Sequence, residues 1–348
     1  MKLNSNYNLG VLTGGDSLEA ASSYTSADNV FDAIGEELYN RYLVEIKDGK
    51  WRLLKGCDLT EEDLDLFQFD FQHCGFVNQS QNERISFDAV IPMIHGRPAE
   101  TGELQGYLES VGMPYTGSGV LASALTMSKE ACKNLLSGGL DVSFPSHLLF
   151  ESCQEVDIDG VEAALGYPAI VKPDAEGSGL GVALVHNSGE LETALSSLEN
   201  LHGKVLLEQY IEGVEITVAA VHDQSGWRIL PIAEVERPEH GLSAADQQGI
   251  VTYKSRQNAN LIIPAKLSKE LNRKIQRATA SIGNLLELKH YFRADFIMDK
   301  NNKIYFLEVN SIPGFGTKSV FTQQLLAGGL KMETLWTRIL EGVMQGNS

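Results

Sequence analysis

Four polar side chains in the last quarter of the chain are spaced so that a β-hairpin would bring them together: Arg293, Asp295, Glu308 and Asn310. Strands are predicted at 292–298 and 304–309, because both segments are rich in apolar and aromatic residues. A two-residue turn at 301–302, which asparagine permits because it tolerates a positive φ, pairs Asp295 with Glu308 and Arg293 with Asn310.

Two carboxylates directly opposite each other on a sheet need a compensating charge. Opposed Cβ atoms lie about 4.5–5.5 Å apart, where two negative charges repel by about 3 kcal/mol at an effective dielectric constant of about 20. A shared proton, Arg293 or a divalent cation could offset this repulsion. Because Asp295, Glu308 and Asn310 offer three oxygen donors, a Mg²⁺ site is predicted. The alternative is a solvated hairpin face with a salt bridge to Arg293.

Strand alternation places other residues of this hairpin on the opposite, buried face. The same register pairs Ile297 with Phe306 and Asp299 with Ile304. The face predicted to enter the core consists of Phe292, Ala294, Phe296, Met298, Tyr305, Leu307 and Val309.

Two glycine-rich segments could bind anions through backbone N–H groups. Glycines 177, 179 and 181 follow Lys172 and surround Ser178, which is either an anion-binding loop or the tip of a hairpin beside a surface lysine. After the C-terminal hairpin, Gly314 and Gly316 precede Ser319. Those N–H groups suit an oxyanion, and Ser319 suits the start of a helix that points at a carboxylate. The alternative is a Pro-Gly turn followed by a serine cap.

The elements that must position these residues begin with a parallel α/β unit. An apolar strand at 9–13 ends at Gly14-Gly15 and leads into a helix over 17–38, and a second strand at 88–94 ends at His95-Gly96 before a helix near 103–108. Ligands bind beyond the carboxyl ends of such parallel strands. Both glycine-containing strand ends are therefore candidate binding positions.

Later elements predict two further units. A turn-rich stretch at 115–119 precedes a helix that Ser128 caps and Gly138-Gly139 ends. Strands follow at 169–173, 182–185 and 205–208, and the pattern from about 213 onward is α+β. The predicted domains are 1–120, 121–210 and 211–348.

Composition excludes several classes of protein. The chain has 348 residues, 43% of them hydrophobic, and a formal net charge of −18, so we expect a folded protein that does not bind nucleic acid. Apolar runs are too short for a membrane span, and the polar N-terminus is unlike a secretory signal. The four cysteines show no zinc-site spacing, which favours reduced thiols in a cytoplasmic protein.

These residues occur within a series of motifs that resembles the D-alanine–D-alanine ligases of the ATP-grasp superfamily. The resemblance covers nearly the whole chain except about 39–87 and 232–262. The motifs, in chain order, are Gly14-Gly15-Asp16-Ser17-Leu18-Glu19, His95-Gly96-Arg97 through Glu100, Gly102-Glu103-Leu104-Gln105-Gly106, Tyr115-Thr116-Gly117-Ser118-Gly119-Val120-Leu121-Ala122-Ser123-Ala124, Met127-Ser128-Lys129, Val171-Lys172-Pro173, Glu176-Gly177-Ser178, Arg293-Ala294-Asp295, Glu308-Val309-Asn310, Pro313-Gly314 and Ser319.

The resemblance implies a three-domain ATP-grasp fold, with a parallel α/β N-terminal domain, that holds ATP and two Mg²⁺ ions and forms a homodimer. The implied nucleotide contacts are Lys129, Lys172, Glu176, Gly177, Ser178, Glu208, Glu215 and Lys254. The implied metal ligands are Asp295, Glu308 and Asn310. The implied substrate and catalytic residues are Glu19, His95, Ser178, Arg293, Gly314 and Ser319. In the implied roles, Glu19 orients an ammonium, with His95 nearby, and Ser178 links Glu19 to a mobile loop. Arg293 and Gly314 would stabilise an oxyanion, and Ser319 would anchor a carboxylate.

One segment departs from the family pattern. The family's mobile loop carries a tyrosine after its lysine, whereas Ser255 follows Lys254 here, and the preceding 234–248 segment has its own Arg237 and His240. The predicted activity is ATP-dependent ligation of two D-alanines through an acyl phosphate, for the synthesis of cell-wall peptidoglycan precursors. The alternatives are a relative with D-lactate or another amino acid as second substrate, and an ATP-binding sensor without ligase activity.

Overall fold

The computed structural model describes residues 7–17, 19–57, 59–177, 179–199, 203–223, 225–236 and 260–346. The strands are β1 (Tyr7–Gly14), β2 (Tyr39–Lys47), β3 (Lys50–Gly56), β4 (Gln68–Asp70), β5 (Gly75–Asn78), β6 (Glu83–Ser86), β7 (Ala89–Pro92), β8 (His147–Phe150), β9 (Ala169–Pro173), β10 (Ala183–Val185), β11 (Val205–Gln209), β12 (Gly213–Asp223), β13 (Gly226–Ile229), β14 (Ala233–Glu236), β15 (Asn260–Ile262), β16 (Tyr291–Asp299) and β17 (Ile304–Asn310). The helices are α1 (Ala20–Ala33), α2 (Glu61–Leu64), α3 (Glu103–Ser110), α4 (Val120–Met127), α5 (Lys129–Leu136), α6 (Ile158–Leu165), α7 (Ser188–Leu198), α8 (Lys269–Leu285), α9 (Val320–Ala327) and α10 (Met332–Met344).

The first sheet has the order β3-β2-β1-β7, and β1 runs parallel to both β2 and β7. This confirms the parallel N-terminal sheet, although β3 joins it antiparallel to β2. The helix after β1 is shorter than predicted: it begins at Ala20 and ends at Ala33, where Ile34 turns to an extended conformation. Gly14-Gly15 and His95-Gly96 do follow the carboxyl ends of β1 and β7.

Residues 39–87, which carry no readable pattern in the sequence, form β2, β3 and a small antiparallel sheet of β4, β5 and β6. Aromatic rings join the two parts, since Trp51 of β3 stacks on Phe69 of β4 with 4.1 Å between ring centroids. This segment is therefore an extension of the N-terminal unit.

The second sheet is antiparallel, with the order β10-β9-β11-β8. Strand β9 has the predicted limits, and β11 extends one residue beyond the predicted end. Ser128 caps α5 as predicted, since its side chain accepts a hydrogen bond from the N–H of Ala131. Lys172 is in β9 and Glu208 in β11, so the second sheet supplies two of the predicted nucleotide contacts.

The third sheet follows the order β15-β14-β12-β16-β17, with β13 paired to β12. Its central strands β12 and β16 are antiparallel over nine residue pairs. One face packs on α8, where Phe292, Phe296 and Phe306 are completely buried. The apolar face of the β16–β17 hairpin is thus packed into the core beneath the third sheet.

The hairpin confirms the pairs Asp295–Glu308 and Arg293–Asn310, but the predicted turn is wrong. The Asp299 N–H donates to the carbonyl of Lys303, which leaves a three-residue loop in which Asn302 has φ 62°. The register shifts by one between Asp295 and Phe296. This bulge offsets the longer loop, so the polar pairs are restored further along the strands.

The bulge also changes which side chains of β17 enter the core. Phe306 pairs with Phe296 and is fully buried, whereas the prediction placed it on the polar face. Tyr305 and Leu307, predicted for the core, are only half-buried, and Leu307 borders the large cavity described below. An alternation rule applied without the bulge therefore assigns the wrong side chains between the bulge and the turn.

Hydrophobic packing crosses the predicted domain limits. Phe315, Phe321 and Trp336 share one buried cluster with the residues of the first sheet. Helices α4 and α5 contribute Ala122 and Leu136 to the core of the third sheet. The division into 1–120, 121–210 and 211–348 remains a prediction. Among the residues that the structure describes, no helix combines the length and apolar character needed to cross a bilayer.

The left-handed residue of the hairpin loop predicts a specific pattern of stability. Asn302→Val should lower the free energy of unfolding by about 1–2 kcal/mol, because a β-branched side chain disfavours a positive φ. Asn301→Val is the matched control, since Asn301 is not a positive-φ residue. Urea denaturation measures both variants, and equal effects would show that the loop conformation described here is wrong.

Candidate active site

A cavity of about 550 Å³ is lined by side chains from the loops after β1 and β7, from the second sheet and from the third sheet. It brings together most of the predicted site residues: Glu19, His95, Lys129, Lys172, Glu176, Glu208, Glu215, Arg293, Glu308, Asn310, Gly314 and Ser319. Gly177 and Asp295 are not among its lining residues. Ser178 and Lys254, together with the unusual 237–259 segment, lie outside the described residues.

The acidic pair of the hairpin is compensated in part by Arg293. Its Nε donates to Oδ1 of Asp295 at 3.0 Å and its Nη2 to Oδ2 at 2.9 Å. Asp295 is completely buried and also accepts a hydrogen bond of 2.6 Å from the Thr217 hydroxyl. Both oxygens of Asp295 are therefore engaged, although each carboxylate oxygen can still accept a further ligand. The salt bridge to Arg293, one of the considered ways to offset the acidic pair, is thus present, while the role of Arg293 as an oxyanion stabiliser stays a prediction.

Lys129, Lys133 and Lys172 form a buried group, of which Lys129 and Lys172 line the cavity. Lys172 Nζ lies 2.7 Å from Oε2 of Glu208, and Lys133 lies at ion-pair distance from Oε1 of the same carboxylate, without the alignment of a hydrogen bond. Lys129 donates to the carbonyl of Glu176 at 2.5 Å. Glu208, predicted to contact adenine, therefore also holds two lysines in place.

Burial governs the protonation of these lysines. Desolvation lowers the pKa of Lys133 to about 7, and repulsion from Lys129 adds to this effect. Desolvation also lowers the pKa of Lys172 well below its usual value, with further repulsion from Lys133 and Lys129. Glu308 is near enough to oppose both shifts. A polyanion placed here would favour the charged forms.

Lys129 is positioned by a contact between α5 and the end of β9. Asp174, which is 4% exposed, accepts 2.7 Å and 2.8 Å hydrogen bonds from the Ser128 hydroxyl and the Glu130 N–H. A carboxylate is favourable there because it satisfies otherwise unpaired N–H groups at a helix N-terminus. Asp174 therefore fixes the first turn of α5, from which Lys129 projects.

Two acidic side chains meet near the end of β1. A Cβ on Gly177 would lie 2.5 Å from Oε2 of Glu19, so only glycine allows the loop to approach this carboxylate. Glu100 accepts hydrogen bonds from the N–H groups of Gly96 at 2.7 Å and Ile312 at 3.4 Å. Desolvation, followed by repulsion from Glu19, raises the pKa of Glu100 to about 8. A ligand ammonium would relieve this repulsion, as the role implied for Glu19 requires.

The predicted carboxylate anchor, Ser319, caps α9 by accepting a hydrogen bond from the Thr322 N–H at 3.4 Å. Its hydroxyl donates to the carbonyl of Gly314. The N-terminus of α9 therefore faces the cavity as expected, while the Ser319 hydroxyl must exchange its Gly314 partner to donate to a ligand carboxylate.

Several apolar side chains complete the cavity between the second and third sheets, namely Ile170, Val182, Ile211, Ile297 and Leu307. Glu208 and Glu215 lie in the same lining. An apolar cavity with a few polar groups is typical of sites for small organic ligands.

Sequence reasoning missed Lys133, Asp174, Glu100 as an acidic partner of Glu19, and Ser26. Lys133 could have been found, because it follows Lys129 by four residues and thus lies on the same helix face. Asp174 and Ser26 carry no such signal. Their side-chain partners, Ser128 and His95, lie 46 and 69 residues away in the chain.

The raised pKa of Glu100 predicts how stability depends on pH. Between its usual value of 4.5 and about 8, the folded state binds more protons than the unfolded state. The free energy of unfolding should therefore fall as pH rises through this window, by at most about 1.4 kcal/mol per pH unit. Glu19 raises this pKa, whereas Arg293 and the N–H donors lower it.

Glu100→Gln should flatten this slope, because the amide does not ionise. Exposed Glu333→Gln in α10 is the control and should keep the wild-type slope. Thermal unfolding from pH 5 to pH 8.5 measures both variants, and an unchanged slope in Glu100→Gln would contradict the assignment.

Comparison with known proteins identifies the family. A family model described as D-ala D-ala ligase N-terminus matches residues 8–118, and one described as D-ala D-ala ligase C-terminus matches residues 143–341. A D-alanine--D-alanine ligase from Azobacteroides pseudotrichonymphae is 33% identical over 339 residues, covering 97% of this chain and 99% of that protein. Both matches extend across 39–87, which the sequence resemblance left out.

Solved structures are similar over the full length. D-alanyl-alanine synthetase A from Vibrio cholerae O1 biovar eltor has a TM-score of 0.85 at 25% identity, covering 98% of this chain and 99% of that one. VanG D-Ala:D-Ser ligase from Enterococcus faecalis has a TM-score of 0.79 at 26% identity, covering 97% and 100%. The chain therefore has the ATP-grasp fold and belongs to the D-alanine–D-alanine ligase family.

Proposed function

We propose that the protein joins two D-alanines at the expense of ATP, through an acyl phosphate, and so supplies the dipeptide used in peptidoglycan precursors. The observation that carries this proposal is one cavity that combines three contrasting walls: buried lysines, the oxygen donors of the hairpin, and the Glu19–Glu100 acids. The names of the relatives and the family assignment support D-alanine as the substrate.

The nucleotide is placed between the second and third sheets. Lys129 and Lys172 neutralise its phosphates, while the apolar side chains at 170, 182, 297 and 307 enclose the base and Glu208 and Glu215 supply polar contacts. Because Lys172 and Lys133 share Glu208, the wall can accept negative charge without large rearrangement. Such pre-organised cations are what phosphoryl transfer requires.

The hairpin residues fit a magnesium ion. Asp295, Glu308 and Asn310 provide two carboxylates and an amide on adjoining strand positions, a hard-oxygen donor set. The buried Asn310 amide nitrogen lacks a hydrogen-bond partner within the described chain, and rotation of the amide by 180° presents its oxygen instead. Mg²⁺ held there would neutralise charge on the transferred phosphoryl group.

The amino acids are placed on the first-sheet side of the cavity. Glu19 and Glu100 bind the first ammonium, and the N-terminus of α9 with Ser319 binds the second carboxylate. The first carboxylate takes the γ-phosphoryl group of ATP, and the second amine then attacks the carbonyl carbon and displaces phosphate. Arg293 and the Gly314 N–H stabilise the oxyanion.

The reaction is placed in the cytoplasm, where ATP is available and thiols stay reduced. All four cysteines are free, and burial raises the pKa of the Cys74 thiol to about 11 and that of the Cys132 thiol to about 12. A homodimer is part of the proposal, and light scattering during gel filtration measures it.

The direct test is incubation with ATP, Mg²⁺ and D-alanine, with phosphate release and product mass as readouts. We expect the D-alanyl-D-alanine dipeptide, formed with one phosphate per dipeptide. A parallel panel contains D-serine, D-lactate and L-alanine. Preferential use of another second substrate would overturn the D-alanine assignment, and no release with any acid would favour an ATP-binding sensor.

Glu308→Gln should lower kcat by about 100-fold or more, because it removes one charge from the metal-binding surface while preserving shape. The concentration of Mg²⁺ needed for half-maximal activity should rise in the same variant. Exposed Glu270→Gln in α8 serves as the control. Wild-type turnover and Mg²⁺ dependence in Glu308→Gln would refute the metal assignment.

A further inference from the structure

The segment 312–315, which contains the proposed oxyanion donor Gly314, is held by side chains from the other end of the chain. Ile312 donates its N–H to Glu100 at 3.4 Å and accepts from His95 Nδ1 at 3.0 Å. Phe315 donates its N–H to the Ser26 hydroxyl at 3.0 Å and accepts from the Asn29 amide. Backbone groups on both sides of Gly314 are thus bound from the N-terminal unit.

His95 is at the centre of this arrangement and has all of its polar groups occupied. Its N–H donates to the Ser23 hydroxyl, and its carbonyl accepts from the Ser17 hydroxyl, each at 2.9 Å. Because a carbonyl can only accept, Nδ1 must carry the proton toward Ile312. Burial lowers the pKa of His95 to about 4, so the ring is neutral and Nε2 is an acceptor.

Ser26 completes the connection. Its hydroxyl lies 3.0 Å from Nε2 of His95 and therefore donates to it, while the same oxygen accepts the Phe315 N–H. Ser26 is 2% exposed and His95 is 5% exposed. Water therefore has little access to replace these bonds, and a buried group that lost its partner would stay unsatisfied.

We infer that Ser26 and His95 are positioning residues that fix the 312–315 segment to α1, and thereby set the Gly314 N–H relative to the carboxylate of Glu19. This rests on the proposed ligation, in which Gly314 stabilises the oxyanion. It also assigns His95 a role different from the substrate contact that the family resemblance implied, because neither ring nitrogen is available to a ligand. One hydrogen-bonded unit then aligns the first amino acid and the oxyanion donor.

The test compares Ser26→Ala with Ser123→Ala. Ser123 is 1% exposed on α4 and donates to the carbonyl of Ser118, so the control removes an equally buried serine hydroxyl away from the segment. Ser26→Ala should lower kcat about 10–100-fold, because a displaced oxyanion donor loses transition-state stabilisation, while the KM for ATP changes less than about twofold. Ser123→Ala should change neither.

A second readout distinguishes positioning from general loss of stability. A phosphinate analogue of D-alanyl-D-alanine carries an anionic oxygen where the oxyanion develops, so Ser26→Ala should weaken its binding by about the same factor as kcat. His95→Asn keeps a donor near Nδ1 but loses the Ser26 contact. Since both substitutions break the same bond, their effects on kcat should not add in the double variant.

Hydrogen exchange supplies a readout without turnover. The Phe315 amide should exchange faster in Ser26→Ala and in Asn29→Ala than in Ser123→Ala, because each loosens the segment. Asn29 is only half-buried, so that variant remains available if Ser26→Ala does not fold.

The outcomes separate this inference from the proposed function. Wild-type protein that makes no dipeptide refutes the ligase proposal. Dipeptide formation by wild type together with unchanged kcat, analogue affinity and Phe315 exchange in Ser26→Ala overturns the positioning role alone. A fall in kcat that is matched by an equal rise in the KM for ATP, with additive effects in the double variant, would also overturn it.

Discussion

The shared ion pair of Glu208 with Lys133 and Lys172 is the interaction on which the cavity depends. Taking charges out of water costs several kcal/mol each unless they are paired and hydrogen-bonded. Glu208 and Lys133 are almost completely buried, and desolvation together with repulsion among the lysines lowers the pKa values of both Lys133 and Lys172. A polyanion bound beside these lysines would favour their charged forms. A chain with a net charge of −18 can bind a nucleotide because these cations act locally.

Contacts between distant parts of the chain align the other walls of the cavity. Asp174 at the end of β9 holds the N-terminus of α5 and thus Lys129. Ser26 and His95 hold the segment after β17. In both cases buried polar groups satisfy each other, and no single unit of the chain contains a complete site. The cavity forms only in the assembled fold, because the residues that line it are distributed along the chain from Glu19 to Val320.

The C-terminal hairpin shows how a correct pairing can follow from an incorrect turn. The two-residue turn at 301–302 is absent, because Asp299 closes a longer loop through its own side chain, which accepts the N–H groups of Asn301 and Lys303. A bulge after Asp295 shifts the register back by one residue. The longer loop and the bulge each shift the pairing by one residue in opposite directions, so Asp295 still lies opposite Glu308. The β17 side chains between the bulge and the loop lie on the faces opposite to those predicted. Loop length and bulges depend on packing, so neither was visible in local sequence.

The sequence by itself determined the parallel strands β1 and β7 of the first sheet, the limits of β9, the cap of α5 and the acidic pair of the hairpin. Periodicity, glycine and capping residues encode these features over a few positions, so local rules suffice. The family resemblance further identified twelve of the residues that line the cavity. Only the tertiary structure decided that Arg293 pairs with Asp295 and that Lys133 pairs with Glu208 beside Lys172. It also decided that the two ring nitrogens of His95 hydrogen-bond to Ser26 and Ile312. The partners of Lys133 and His95 lie 69 to 217 positions away in the chain, and sequence spacing carries no record of distances across a fold.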